Sequence, residues 1–131
     1  MNIVADTNIF LAVALDETEK TNIIEVTSNA NIISPEILPY EIGNALSAMI
    51  KRKRLSKDEA IKILEIVQNI PVRLLSVDID EALQMAIEFN IYAYDAYFLS
   101  CAKSTSYPLL TLDKKMKQVA KELRIPLLLG E

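Results

Sequence analysis

The sequence predicts an α/β domain in which helices cover both faces of a parallel β-sheet. Short apolar segments of the kind found in buried strands recur along the chain, and helical patterns separate them. The composition is that of a compact globule, with 51% hydrophobic and 24% charged residues and only two glycines. The 131 residues are within the range of one domain, so a single domain over residues 1–131 is expected.

Five short apolar segments are the predicted strands, because each is too short for a helix and is bounded by polar or turn-forming residues. They are Ile3–Ala5, Asn31–Ile33, Val72–Leu75, Leu109–Thr111 and Pro126–Leu129.

Apolar residues at three- and four-residue steps predict helices between these strands. Ser56 and Glu59 have the spacing of a capping box, which predicts a helix start, and Pro71 ends that helix. The helix that carries Glu41 could begin at Pro35 or at Pro39, because proline suits the first helical turn. The other predicted helices cover residues 9–15, 23–26, 79–87, 94–102 and 114–123.

The chain contains no histidine and one cysteine, Cys101, which is predicted to be a small core residue. The absence of histidine excludes Ser–His and Cys–His nucleophile pairs and every His-ligated metal site. A hydrolase of this composition would depend on carboxylates, which favour hard cations such as Mg²⁺ or Mn²⁺. No segment has the pattern of a signal peptide or a membrane span, so the cytoplasm is the expected compartment.

Positive charge is concentrated in two places, although the net charge is −4. One cluster is Lys51–Arg54 with Lys57, and the other extends from Lys114 to Arg124. Each cluster is either a solvated helix face or a contact surface for nucleic acid, and the sequence leaves both interpretations open.

Four separated acids are the candidate catalytic residues. Asp6 and Asp113 each follow a predicted strand, where sites form in parallel sheets, although either could simply cap a helix. Asp95 lies in an apolar helical pattern, where an unpaired charge is costly. Glu41 shares a helix side with Asn44. A divalent-metal site for phosphodiester hydrolysis explains all four, and mutual repulsion should raise the pKa of at least one.

Four segments are similar to the motifs of PIN-domain nucleases, and the chain resembles the VapC-type toxin ribonucleases in size and motif order. The matching segments are Val4–Asn8, Glu41–Asn44, Tyr94–Leu99 and Thr111–Asp113. The resemblance implies a three-layer α/β/α domain with a five-stranded parallel sheet. It also implies Mg²⁺- or Mn²⁺-dependent endoribonuclease activity, a VapB-type antitoxin partner and a homodimer.

The resemblance also implies roles for particular residues. Lys114 and Lys115 stand where some family members carry a further acid, so the choice between one and two ions stays open. The implied metal-binding and catalytic residues are Asp6, Glu41, Asp95 and Asp113, and the supporting polar residues are Thr7, Asn8, Asn44 and Thr111. The positions of the basic residues, rather than the resemblance, make Lys114 and Lys115 the expected RNA contacts. Arg52 and Arg54 either extend this RNA contact or lie in a partner interface.

Other functions fit parts of the pattern. A structure-specific DNA nuclease would use the same acids, but the chain lacks room for the clamps such enzymes usually need. A non-catalytic RNA- or protein-binding PIN domain would have no need of Asp95. An aspartate-nucleophile phosphatase is disfavoured because Asn8 stands where a second aspartate is generally required. Tyr94 and Tyr97 are expected to belong to the core rather than to stack on bases.

Overall fold

The computed structural model describes residues 1–129 and contains a five-stranded sheet in the order β3-β2-β1-β4-β5, with every neighbouring pair parallel. This confirms the predicted sheet. The strands are β1 (Asn2–Ala5), β2 (Asn31–Pro35), β3 (Arg73–Leu75), β4 (Leu109–Leu110) and β5 (Leu127–Leu128).

Each strand differs from its predicted bounds by one or two residues, and the differences at β2 and β4 bear on the site. Strand β2 continues through Ser34 and Pro35, which pair with Leu74 and Leu75 of β3. Proline is tolerated there because it is the last residue of the strand. Thr111 was predicted to end a strand, but it follows β4 and directs its hydroxyl into the site described below.

Seven helices cover the sheet in the described part of the chain. Strands β2 and β3 are added in turn on one side of β1. The chain then crosses to the other side of β1, where β4 and β5 lie. With right-handed connections this reversal places the two sets of helices on opposite faces. The helices are α1 (Thr7–Ala14), α2 (Lys20–Thr27), α3 (Leu38–Lys51), α4 (Lys57–Gln68), α5 (Ile79–Phe89), α6 (Ala93–Thr105) and α7 (Lys114–Glu122).

The helix contacts agree with this layering. Helices α1, α3 and α4 contact one another, and α2 contacts α1. In the second group, α6 contacts α5, α7 and the central strands β1 and β2. Ile3 and Val4 of β1 are completely buried, as expected for the middle strand of a sheet that is covered on both faces.

Helix starts show how the local sequence sets the framework. Ser56 caps α4 through a complete capping box with Glu59, as predicted. Pro39 lies in the first turn of α3, whereas Pro35 belongs to β2, which settles the position of that helix. Cys101 is buried, and burial raises the pKa of its thiol to about 11. No helix among residues 1–129 is long and apolar enough to cross a membrane.

Helix α6 differs from the prediction at its tyrosines. Ala96 and Leu99 are fully buried, but the Tyr94 side chain is 51% exposed and Tyr97 is only partly buried. The prediction that Tyr94 belongs to the core was therefore wrong. An almost uniformly apolar helix carries little periodic signal about which side faces inward.

Candidate metal-binding and catalytic site

The candidate site lies where the connections of the sheet change direction. Strand β1 has β2 on one side and β4 on the other, so the crevice at the carboxyl ends of β1 and β4 is the topological switch point. Asp6 directly follows β1, and Thr111 directly follows β4. The fold thus brings together two residues that are 105 positions apart in sequence.

Asp6 is a buried carboxylate, with 4% of its surface exposed. Its Oδ1 accepts a hydrogen bond from the backbone N–H of Ile9 at 3.4 Å, so the residue caps helix α1. Its Oδ2 accepts a hydrogen bond from the Thr111 hydroxyl. Asp6 is therefore a helix cap, and its role in a functional site stays a prediction.

A short chain of hydrogen bonds connects Asp6 with Asp113. The Thr111 Oγ1 that donates to Asp6 accepts from the backbone N–H of Asp113 at 3.1 Å. Asp113 then caps helix α7, because its Oδ1 accepts from the N–H of Met116 at 2.9 Å. Thr111 is completely buried, so it fixes the positions of both aspartates relative to each other.

The surroundings of Asp6 favour its neutral form. Burial raises the pKa of Asp6 to about 6 from its usual value of 3.8, and the charges of Asp113 and Asp95 act in the same direction. The hydrogen bonds from Thr111 and Ile9 oppose the rise but do not cancel it. No positively charged side chain contributes to this shift, so the described residues do not compensate the negative charge of an ionised Asp6.

Glu41 and Asp95 lie in the first turns of α3 and α6. Partial burial raises the pKa of Glu41, and the negative charge of Asp95 adds to this effect. Partial burial also raises the pKa of Asp95, with a contribution from Asp113. The four acids thus influence one another electrostatically, which agrees with the predicted repulsion.

The structure changes the relative weight of the four acids. The sequence made Asp95 the strongest candidate, because its helix is apolar on nearly all sides. In the structure Asp95 is only partly buried, and Asp6 is the acid with the least exposure. The helix sequence alone could not show that the start of α6 opens toward solvent.

Other predicted site residues are more dispersed. Asn8 and Asp113 line one surface groove of about 310 Å³ beside α1. Asn44 is exposed on α3. Arg52 and Arg54 are exposed beyond the far end of α3, about 16 Å or more along the helix axis from Glu41. Within residues 1–129, no three acidic side chains approach closely enough to hold one ion together.

The available donors nevertheless fit a hard divalent cation. Carboxylates and hydroxyls are the ligand types that Mg²⁺ and Mn²⁺ prefer. The Thr7 Oγ1 is buried and has no hydrogen-bond partner among the described residues. A buried hydroxyl without a partner is uncommon in folded proteins. Together with the raised pKa of Asp6, it indicates a site that is incomplete without a polar or cationic ligand.

Two residues near the site were missed by the sequence analysis. The buried hydroxyl of Ser34 donates to the carbonyl oxygen of Ala5 at 2.6 Å and so fixes the end of β1 just before Asp6. Glu36 follows β2 at the same edge of the sheet, where its N–H donates to the carbonyl oxygen of Leu75 at 2.8 Å. Its place after a strand was the signal that could have identified Glu36.

Comparisons with known proteins agree with this geometry. The family model described as PIN domain matches residues 3–122. Ribonuclease VapC3 of Pyrobaculum aerophilum is 24% identical over 123 residues, which cover 90% of this chain and 94% of that protein.

Two solved structures have the same fold. PAE2754 from Pyrobaculum aerophilum aligns with a TM-score of 0.71 and 23% identity over 97% of this chain and 83% of that chain. VapBC2 from Rickettsia felis, bound to a DNA fragment from its promoter, aligns with a TM-score of 0.66 and 18% identity over 98% of both chains. The family match covers most of the sequence, and the chain belongs to the PIN domain family.

Proposed function

We propose that this protein is a Mg²⁺- or Mn²⁺-dependent endoribonuclease of the cytoplasm and the toxin of a type II toxin–antitoxin pair. One observation carries the proposal: a buried carboxylate, Asp6, is joined through Thr111 to Asp113 at the switch point, and its charge is not compensated. The similarity to a protein named Ribonuclease VapC3 supports RNA as the substrate.

The carboxylates and hydroxyls of the candidate site have different proposed roles. Pairs among Asp6, Asp95, Asp113 and Glu41 would hold one or two divalent ions, because no three acidic side chains of residues 1–129 approach closely enough to share one. When bound, such an ion polarises the phosphodiester and activates water. Thr111 orients Asp6, and Thr7, the residue after Asp6, has a buried hydroxyl without a hydrogen-bond partner among the described residues.

Asp95 is the better candidate for the proton acceptor. One oxygen of Asp113 already accepts the N–H of Met116 as a helix cap. Asp95 has no such capping role, which leaves its carboxylate for the attacking water. We therefore assign proton removal to Asp95.

The start of α7 provides the positive charge for binding the RNA backbone. Lys114 and Lys115 immediately follow Asp113 and are both exposed. With Lys121 and Gln118 they line a surface groove of about 410 Å³. Lys117 also lines it, but its Nζ donates to the carbonyl oxygen of Leu129 at 3.1 Å. The groove begins at the residue that follows Asp113 and suits phosphate contacts that carry no sequence information.

Replacing Lys115 by alanine is expected to weaken RNA binding uniformly across sequences, because one phosphate contact is lost. The slope of log affinity against log salt should decrease by about one. Fluorescence anisotropy at several salt concentrations measures this slope. Lys62→Ala, on the exposed surface of α4, is the matched control and should leave the slope unchanged. An unchanged slope for Lys115→Ala would remove this lysine from the RNA path.

The decisive test of the function is cleavage by the wild-type chain, free of any antitoxin. Single-stranded RNA should be cut in the presence of Mg²⁺ or Mn²⁺, and EDTA should stop the reaction. Duplex and flap DNA of matched sequence should remain intact. Preference for DNA would favour the structure-specific DNA nuclease. Absence of cleavage on every substrate would favour a non-catalytic binding domain.

The partner proteins follow from the same proposal. A VapB-type antitoxin is supported by the fold shared with the VapBC2 structure. We also propose a homodimer, supported by exposed apolar side chains on α5, where Leu83 and Ile87 are 51% and 72% exposed. Arg52 and Arg54 lie beyond the end of α3 that is distant from Glu41, so they suit a partner surface or another segment of RNA. Light scattering measures the oligomeric state of the chain alone.

A further inference from the structure

Tyrosine side chains are unusually exposed around the candidate site. The chain has five tyrosines, and Tyr40, Tyr92 and Tyr94 are 75%, 82% and 51% exposed. The rings of Tyr94 and Tyr97 meet edge to face, with centroids 6.0 Å apart. Exposed aromatic rings are available to stack on a ligand, and those that line a groove are the candidates for this role.

Two of these tyrosines line one groove, which we name the α3–α5 groove. It has a volume of about 350 Å³. It lies between the start of α3, the segment that follows β3, the start of α5 and helix α6. This volume is within the range of pockets that bind small organic groups. The groove is lined by Glu36, Ile37, Tyr40, Val77, Ile79 and Tyr97.

The α3–α5 groove begins within one helical turn of Glu41, one of the candidate catalytic acids. Ile37, in its wall, accepts a hydrogen bond through its carbonyl oxygen from the N–H of Glu41 at 3.0 Å. Tyr40 directly precedes Glu41 in the chain, and Glu36 follows β2 at the edge of the sheet that also holds Asp6. A nucleotide next to a phosphodiester bound at the acids would therefore lie beside this groove.

The side chains that line the α3–α5 groove favour an RNA base over a phosphate group. Three aliphatic side chains and two phenol rings form most of the wall, and the only charged group in it is the Glu36 carboxylate. With no cation in the wall, the groove would repel a phosphate. Aromatic rings stack on unpaired bases, and a carboxylate accepts hydrogen bonds from the amino and imino groups of base edges.

We propose that the α3–α5 groove receives one unstacked base of single-stranded RNA, next to the phosphodiester that is cut. Tyr40 stacks on the base, and Glu36 accepts hydrogen bonds from its edge. Guanine fits best because its N1–H and N2–H donors lie side by side and match the two oxygens of a carboxylate, whereas uracil offers one N–H. This proposal rests on the ribonuclease function and adds a base preference to it.

Binding in EDTA tests the groove without requiring cleavage. The probe is an end-labelled single-stranded octauridine RNA, compared by fluorescence anisotropy with the same RNA carrying one central guanosine. Wild-type protein should bind the guanosine RNA at least about fivefold more tightly, the low end of the effect of a stacked or specifically contacted base. Glu36→Gln should remove this preference, and Tyr40→Ala should weaken binding by at least about fivefold.

Matched variants separate this proposal from its alternatives. Tyr40→Phe should retain binding because it keeps the stacking ring, and Tyr92→Ala should have no effect because Tyr92 is exposed outside the groove. Equal affinity for the two RNAs, or unchanged binding by Tyr40→Ala, would overturn the proposal. If Tyr40→Ala instead converts a dimer to a monomer and leaves RNA affinity unchanged, the groove is a protein interface. Failure of the ribonuclease function would appear separately, as absence of RNA cleavage by wild-type protein with Mn²⁺.

Discussion

Asp6→Asn is expected to abolish RNA cleavage and, at the same time, to stabilise the metal-free protein. Loss of a metal-binding carboxylate should reduce cleavage at least about 100-fold, since even partners outside the ligand set cost 10- to 100-fold. Stability should change in the opposite direction. The buried carboxylate has a pKa of about 6 instead of 3.8, which corresponds to roughly 3 kcal/mol of unfavourable free energy when it is ionised.

Asparagine can occupy this position without losing its hydrogen bonds. Its side-chain oxygen can still accept from the N–H of Ile9, because asparagine is as good a helix N-cap as aspartate. Its side-chain NH₂ can donate to the Thr111 Oγ1, whose hydrogen can turn toward the Met116 sulfur 3.9 Å away. The substitution therefore removes the charge and retains the local structure.

Urea unfolding at pH 8 in EDTA measures this effect. Asp6→Asn should be more stable than wild-type protein by about 3 kcal/mol, and added Mn²⁺ should stabilise the wild type much more than the variant. The control is Asp78→Asn, because Asp78 caps α5 in the same way but is exposed. It should change stability little. If Asp6→Asn is as stable as wild type or less stable, Asp6 is an ordinary cap rather than a strained site.

The sequence predicted the fold well because the determinants of strands and helix starts are local. Short apolar segments fixed the strands, and side chains such as Ser56 fixed helix starts through contacts three residues away. The boundaries of β2 and β4 were less predictable. Ser34 and Pro35 are in a strand only because β3 lies beside them, and nothing within β2 encodes that neighbour.

The sequence predicted the residues of the candidate site, but not how deeply each of them is buried. Asp6 acquires its unusual pKa from burial and from Asp113 and Asp95, which are distant in sequence. The hydrogen bond from Thr111 likewise spans the switch point of the sheet. Asp95 is only partly buried, although the apolar composition of its helix predicted burial. Exposure at the start of α6 depends on how the neighbouring elements pack, which the helix sequence does not encode.

The metal-free wild-type protein should become more stable as the pH falls from 7 toward 4. The folded state holds the Asp6 proton with a pKa of about 6, while the unfolded chain releases it above 3.8. Between these values the folded state binds more protons than the unfolded state, so the free energy of unfolding decreases as the pH rises. The destabilisation caused by an ionised Asp6 is fully present above the pKa that Asp6 has in the folded state, and it is absent below the pKa that Asp6 has in the unfolded chain. Partial burial of Glu41 and Asp95 acts in the same direction.

This direction is opposite to that of a carboxylate stabilised by a salt bridge, which loses its contribution as the pH falls. The urea midpoint in EDTA at pH 7, 6, 5 and 4 should rise for wild-type protein and change much less for Asp6→Asn. Mn²⁺ should reverse the trend, because protons and the cation compete for the same carboxylates. A midpoint that falls with acidification in EDTA would mean that Asp6 is paired with a positive group and is not the uncompensated charge on which the metal site depends.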